Sequence, residues 1–267
     1  MAVDLARMQA LAVAQRRLEP QRTNWHSGDL AWQLARDPEQ EIRLWEDGGD
    51  VVAWAWKKGD EVEFEVREDH RELLDEMLAD QSIKTVRVFE TEADTVAEYG
   101  FTERGEWAMH FNHQAFDGAP EVRELPDGFS LRSVEPGDLV ERVAIHRDVW
   151  APSQLTIEKF ENVMAATPYR ASLDCVAVAP NGEFASYCIL WPEDATGVGE
   201  LEPVGTREQY RRLGLGAAVC TFALRRWYEQ GGREAIVYCL TEPACALYES
   251  IGFRRYATLR TFSRPRA

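Results

Sequence analysis

The sequence predicts an α/β (α+β) protein of two successive domains, each a mixed, mostly antiparallel sheet flanked by helices. Three observations carry this expectation. The 267 residues exceed what one hydrophobic core usually needs. A Gly/Pro/Asp-rich break, Asp117-Gly118-Ala119-Pro120 followed by Pro126-Asp127-Gly128, separates two patterned stretches, which sets the domains at 1–118 and 119–267. The same order of strands and helices is then readable on both sides of the break.

In the second half Phe129–Val134 reads as a short strand, and Asp138–Trp150 and Thr156–Ala166 carry apolar residues at helical spacing. A hairpin follows: Cys175–Ala179, the turn Asn181-Gly182, and the return strand Glu183–Trp191. Glu200–Thr206 is the next strand. A helix from about Leu213 to Gln230 has Leu215, Val219, Phe222, Ala223 and Trp227 on one stripe and Gly231-Gly232 as its stop, so its apolar face needs a sheet to cover it. Ala235–Leu240 is a strand, Pro243 suits the first turn of a helix ending at Ser250, and Arg255–Ser263 alternates as a last strand.

The first half repeats this order more faintly. Glu41–Glu46, Gly48-Gly49 and Asp50–Lys57 form the hairpin, Glu61–Val66 the next strand and His70–Asp80 the helix after it. Lys84–Phe89 is a strand, Glu92–Glu98 a short helix, and Tyr99-Gly100-Phe101 echoes Ile251-Gly252-Phe253. The N-terminal helix Leu5–Leu18 suits either packing on this half or a homodimer contact.

Apolar residues at 45% and charged residues at 28% describe a globular chain. The formal charge of −16 is uneven: residues 1–120 hold 26 acidic and 13 basic side chains, net −13, against 20 and 17, net −3, for the rest. An acidic half repels phosphate backbones, which argues against nucleic acid, and either raises the local concentration of a cationic ligand or simply solvates the surface. No apolar run approaches the roughly 18 residues of a membrane span, and no leader is readable at the N-terminus. Cys175, Cys188, Cys220, Cys239 and Cys245 lie in apolar segments without paired C-x-x-C spacing, which suggests reduced thiols, a cytoplasmic setting and no metal.

The chemistry concentrates in Glu202-Pro203-Val204-Gly205-Thr206-Arg207-Glu208-Gln209-Tyr210-Arg211-Arg212-Leu213-Gly214-Leu215-Gly216-Ala217. This is a strand, a loop with R-x-x-G-x-G, and a long helix. Such a loop aims backbone N–H groups and the positive end of a helix dipole at one spot, where a pyrophosphate can be held. Gly214 and Gly216 let the backbone approach the phosphates, and Arg207, Arg211 and Arg212 offer counter-charge. A glycine pair before a helix is also what a tight turn needs; neither a dinucleotide G-x-G-x-x-G after a first strand nor a G-K-[ST] loop is present.

This run resembles the pyrophosphate-binding motif of the GNAT superfamily of acyl-CoA-dependent N-acyltransferases, and Thr241-Glu242-Pro243-Ala244-Cys245-Ala246-Leu247-Tyr248-Glu249-Ser250-Ile251-Gly252-Phe253 resembles its second motif, usually N-x-x-A-x-x-L-Y-x-x-x-G-F. The resemblance implies two tandem GNAT-like domains with acetyl-CoA as cosubstrate. Val204, Gly205, Thr206, Arg211, Arg212, Leu213, Gly214, Leu215, Gly216, Ala217 and Thr241 would hold it, the strand before the loop splaying from its neighbour to bind the pantetheine arm. Tyr248 stands at the family's general acid, although its stripe with Ala244, Leu247 and Ile251 also suits a core. Thr241 replaces the usual Asn and can cap the helix, and Glu208 replaces a frequent Pro. For the base, Glu200 and Glu202 share one strand face, with Glu202 nearer the motif and a water chain as the alternative.

The first half lacks this site. Arg71 corresponds to Arg211, but Leu74 and Glu76 stand where the glycines are, so the repeat reads as degenerate and non-catalytic. Trp25, Trp32, Trp45, Trp54, Trp56 and Trp107 read mostly as core, with one or two left for an acceptor cleft. The expected function is acetyl transfer to a primary amine of a small molecule, and the alternative is a CoA-binding regulatory or interaction module without turnover.

Overall fold

The structure, a computed structural model, describes residues 2–18, 23–37 and 40–265. The first half folds as α1 (Ala2–Leu18), α2 (Ser27–Arg36), β1 (Glu41–Asp47), β2 (Asp50–Lys58), β3 (Glu61–Val66), α3 (Leu73–Ala79), β4 (Thr85–Phe89), α4 (Ala93–Glu98) and β5 (Thr102–Ala115). The second half follows as β6 (Ser130–Ser133), α5 (Leu139–Val149), α6 (Ile157–Ala165), β7 (Asp174–Val178), β8 (Phe184–Glu193), β9 (Val198–Thr206), α7 (Leu215–Glu229), β10 (Glu234–Cys239), α8 (Glu242–Ser250) and β11 (Arg254–Ser263). The expected elements form within a few residues of their bounds, except that the helix over His70–Asp80 contracts to α3 behind a 3-10 turn at Glu68–His70. Two elements were not foreseen, α2 and β5.

All eleven strands described join one sheet, ordered β1-β2-β3-β4-β11-β5-β10-β9-β8-β7-β6. The centre explains the continuity. Each half lends its last strand to the other: β5 runs between β10 and β11, and β11 runs between β4 and β5. The pairings are antiparallel except β3 with β4 and β9 with β10, whose crossovers run through α3 and α7. The duplicated element order thus becomes an approximate twofold relation about the β5–β11 pair.

Side chains alternate along β8 and divide the second half into two layers. Cys188 and Leu190 pack with Val219, Ala223 and Trp227 of α7. Ile189 and Trp191 pack instead with Trp32 of α2, Val143 of α5 and Phe160 of α6, so the first half contributes a helix to the second half's core. Helix α1 packs Met8, Leu11 and Ala12 against Trp25, Leu30, Leu34 and Trp54, which buries the stripe that suited either packing or a dimer. Trp25, Trp32, Trp54 and Trp56 are buried as expected.

Candidate active site

The site begins where two parallel strands part. β9 and β10 pair only at Val198/Glu234, Gly199/Ala235 and Glu200/Ile236. Beyond Glu200, β9 stays on β8 through Val204/Cys188, Gly205/Tyr187 and Thr206/Ser186, leaving its other edge without a strand partner. Pro203, within this stretch, has no N–H to offer a ladder. A cleft of about 470 Å³ fills the wedge, with Glu202–Thr206 on one wall and Tyr238–Thr241 on the other. Val149 and Trp150 cover it, and Arg211, Gly216, Leu247 and Tyr248 complete the lining. Trp150 is fixed by donating its indole N–H to the Tyr187 hydroxyl at 2.7 Å. That hydroxyl lies 2.8 Å from His146 Nδ1, on a ring kept neutral by burial, which lowers its pKa to about 3. Gly205 is required here, since a Cβ would sit 2.6 Å from Val149 Cγ1 and 2.9 Å from the Tyr187 ring.

The cleft runs to the start of α7. After a 3-10 turn at Glu208–Tyr210, Arg212 (φ +65°) and Gly214 (φ +79°) both take left-handed backbone. Only Gly214 does so freely; for Arg212 the conformation costs roughly 1 kcal/mol, the kind of strain that persists where function holds it. Left-handed residues beside extended or helical ones curl successive N–H groups to one side and make an anion-binding concavity. The first intrahelical bond is Ala218 N to Gly214 O, so the N–H groups of Leu215, Gly216 and Ala217 have no carbonyl within the helix. Arg211 and Arg212 are exposed beside this loop, as is Leu213. The Leu215 side chain is core, leaving its N–H as its contribution, and Ala217 packs partly against the core. One expectation is corrected: Arg207 is not free counter-charge. It is buried in ion pairs with Glu141 (2.6 Å) and Asp148 (2.8 Å) and donates to Phe184 O, because its strand-end position turns it towards α5.

Helix α8 brings Tyr248 to the other side of the wedge. Thr241 caps the helix, its hydroxyl accepting from Ala244 N at 3.4 Å, and Pro243 occupies the first turn. Burial pushes the Tyr248 phenol well above its ordinary value, so it stays protonated. Glu200 and Glu202 do share one face of β9, but not alone. Asp29 of α2 joins them, the three carboxylates presenting oxygens within 4.8 Å of one another. The Tyr238 hydroxyl bridges Asp29, at 2.5 Å, and Glu202. Glu200 is buried, with Oε2 3.3 Å from His26 Nδ1. Burial, and then the charge of Asp29, raises Glu200 to about 8 and lifts Glu202 well above the carboxylate range. Holding protons is how crowded buried carboxyls avoid mutual repulsion.

Sequence reasoning missed His26 and Asp29 because it missed α2, although Ser27, Asp29 and the apolar Leu30, Ala31, Leu34 and Ala35 spell a helix start. Tyr238 carried no motif. A further correction concerns the cysteines: Cys239 and Cys245, with Cα atoms 5.5 Å apart, form a disulfide. The bend between β10 and α8 closes a six-residue separation that no C-x-x-C pattern announces, while Cys175, Cys188 and Cys220 are buried thiols.

The first half has the same wedge, filled. β3 and β4 pair only at Glu61/Thr85 and Val62/Val86, and the cavity beyond is about 50 Å³. Arg67-Glu68 and the following 3-10 turn match Arg207-Glu208 and theirs, which sets Glu65 opposite Gly205. The Glu65 carboxyl is buried there and raised to about 8 by that burial. Gln15 of α1 donates to Val66 O at 3.0 Å and accepts from Glu68 N at 3.4 Å; Val66 matches Thr206, which lines the cleft in the second half.

Residues 142–253 match the family described as Acetyltransferase (GNAT) family. Among curated proteins, a mycothiol acetyltransferase of Arthrobacter sp. (strain FB24) is 27% identical over 181 residues, covering 62% of this chain and 55% of the relative. Another, from Actinosynnema mirum, is 29% identical over 156 residues, covering 56% and 52%. The chain spans about half the length of the curated relatives it matches. Among solved structures, a GCN5-related N-acetyltransferase from Sphaerobacter thermophilus superposes with a TM-score of 0.67 at 18% identity, covering 100% of this chain and 95% of that one. A tandem GNAT protein from the clavulanic acid biosynthesis pathway gives 0.62 at 14%, covering 98% and 96%. At such identities the likeness is one of fold.

Proposed function

Because residues 142–253 match the GNAT acetyltransferase family, we propose that the chain transfers an acetyl group from acetyl-CoA to a primary amine of a small molecule, with residues 119–267 carrying turnover and residues 1–118 non-catalytic. The observation that carries this reading is the wedge between β9 and β10, which opens onto the left-handed loop at the start of α7. The fit to the cosubstrate rests on the same features. The N–H groups of Leu215, Gly216 and Ala217 meet the pyrophosphate, with Gly214 and Arg212 shaping the curl and Arg211, Arg212 and Leu213 flanking it. The open edge of Val204, Gly205 and Thr206 pairs with the pantetheine arm, and Thr241 holds the facing helix end.

The steps follow from the residues. A free N–H on the β9 edge polarises the thioester carbonyl. Glu202, once ionised, takes a proton from the amine as the nitrogen lone pair attacks the carbonyl carbon; Glu200 lies behind it with His26. When the C–S bond breaks, the thiolate takes the Tyr248 proton. Burial keeps the phenol protonated, so its proton is present when the thiolate forms, and the thiolate's developing charge drives the transfer. The first half cannot run this sequence, because Glu65 and Gln15 fill its wedge and Leu74 and Glu76 replace the glycines.

Thermal unfolding with and without acetyl-CoA tests the reading. At 100 times its dissociation constant a ligand adds about 2.7 kcal/mol of apparent stability, and Gly214→Glu is expected to abolish the shift by placing a carboxylate at the phosphate loop. No shift in the natural sequence sinks the proposal. A shift without free-thiol release across an amine panel leaves a CoA-binding module.

A further inference from the structure

The centre of the proposed acceptor site is not built from one half. Asp29 comes from α2, in the first half, and reaches Glu202 of β9 through the hydroxyl of Tyr238 on β10. Counting hydrogens constrains this arrangement. A phenol hydroxyl has one proton, so it donates to one carboxylate and must accept from the other; one of Asp29 and Glu202 therefore carries a proton of its own. Asp29 is 4% exposed and Glu200, behind the pair, 1%, with His26 as its ionic partner at 3.3 Å. Three carboxyls against one imidazole leave an acidic pocket, the environment into which a cation fits best.

We propose that Asp29 is a positioning residue for Glu202: bridged by Tyr238, the two carboxyls share one proton and aim the free Glu202 oxygen at the nitrogen of an acceptor that arrives as an ammonium ion. This rests on the acetyltransferase reading and deepens it. The ammonium gives one proton to the ionised carboxyl, which releases it to water; the amine nitrogen attacks the carbonyl carbon, the same carboxyl takes the second N–H proton, and that proton replaces the one Tyr248 gives to the departing thiolate. Other ionisable groups face the pair from the elements around it: Arg36 of α2, Glu200 on β9 with His26 behind it, Lys58 on β2, Tyr248 on α8 and Tyr256 on β11. The acidic surface of the first half gains a role in such a scheme, since it favours a cationic acceptor over an anionic one.

The test is an infrared titration of the carboxylic C=O stretch in the full, ligand-free chain, with Glu202→Gln identifying the Glu202 band. In Asp29→Asn the Glu202 midpoint is expected to fall by at least about 1 pH unit, because a neighbouring carboxylate no longer opposes its ionisation; Asp29→Glu should restore it. Should Asp29→Asn fail to fold, Asp29→Ser gives the same comparison. A Glu202 midpoint unchanged by loss of the Asp29 carboxyl overturns the proposal. The acetyl-CoA thermal shift, measured on the same proteins, judges the acetyltransferase reading separately, so the two can fail independently.

Discussion

Glu65 offers a measurable consequence of the filled first-half wedge. Its carboxyl is buried without a partner for Oε2, and burial moves it from an ordinary 4.5 to about 8. The folded chain thus binds this proton more tightly than the unfolded chain. Stability from that preference is complete below about pH 4.5 and is lost as pH rises towards 8. At about 1.4 kcal/mol per pH unit, the loss between pH 5 and pH 8 is on the order of 3 kcal/mol. Glu65→Gln keeps the shape and cannot ionise, so it should match the natural sequence at pH 5 and exceed it by about 3 kcal/mol at pH 8, roughly 6–12 °C in Tm for a chain of this size. Glu200 titrates in the same window, but it is common to both proteins and cancels in the difference. Urea or thermal unfolding at the two pH values decides the matter. An advantage that does not grow with pH refutes the argument that Glu65 is held protonated by burial.

The remaining predictions concern both wedges. Gly205→Ala should weaken acetyl-CoA binding by tenfold or more in a thermal-shift titration, about 1.4 kcal/mol, since the new methyl meets Val149 and Tyr187 and pushes β9 into the cleft. Tyr248→Phe should keep the acetyl-CoA shift while slowing free-thiol release at least about tenfold; unchanged turnover removes Tyr248 from the acid role. Gln15→Ala should cost about 1–3 kcal/mol in denaturant unfolding by orphaning Val66 O, and should create no second acetyl-CoA site, as binding stoichiometry will report.

Local pattern made the second half legible. Period-2 runs, Asn181-Gly182, and the glycines and arginines before α7 each encode their own conformation within a few residues. The cap at Thr241 and the left-handed turn at Gly214 were readable for the same reason. What escaped was set by distant partners. β5 alternates Trp107, Met109 and Phe111 with His110, Asn112 and Gln114, but nothing in it says that its neighbours will be β10 and β11, just as nothing near Arg254–Ser263 names β4 and β5. Asp29 reaches the site only because α2 packs across the second half's sheet. Gln15 acquires meaning only when α1 lies over β3. Arg207 carried the right charge for a phosphate, and its ion pairs with α5 depend on a packing that the loop sequence does not contain.

The traded strands at the middle of the sheet make the two halves depend on each other. Excising residues 1–118 would take β5 away from β10 and β11 together, stripping hydrogen-bond partners from Ala235 through Cys239 and from the strand that follows Tyr248. The exposed edges would seek other chains. The second half cannot keep its sheet without that borrowed strand, and the same excision would also remove the helix bearing Asp29.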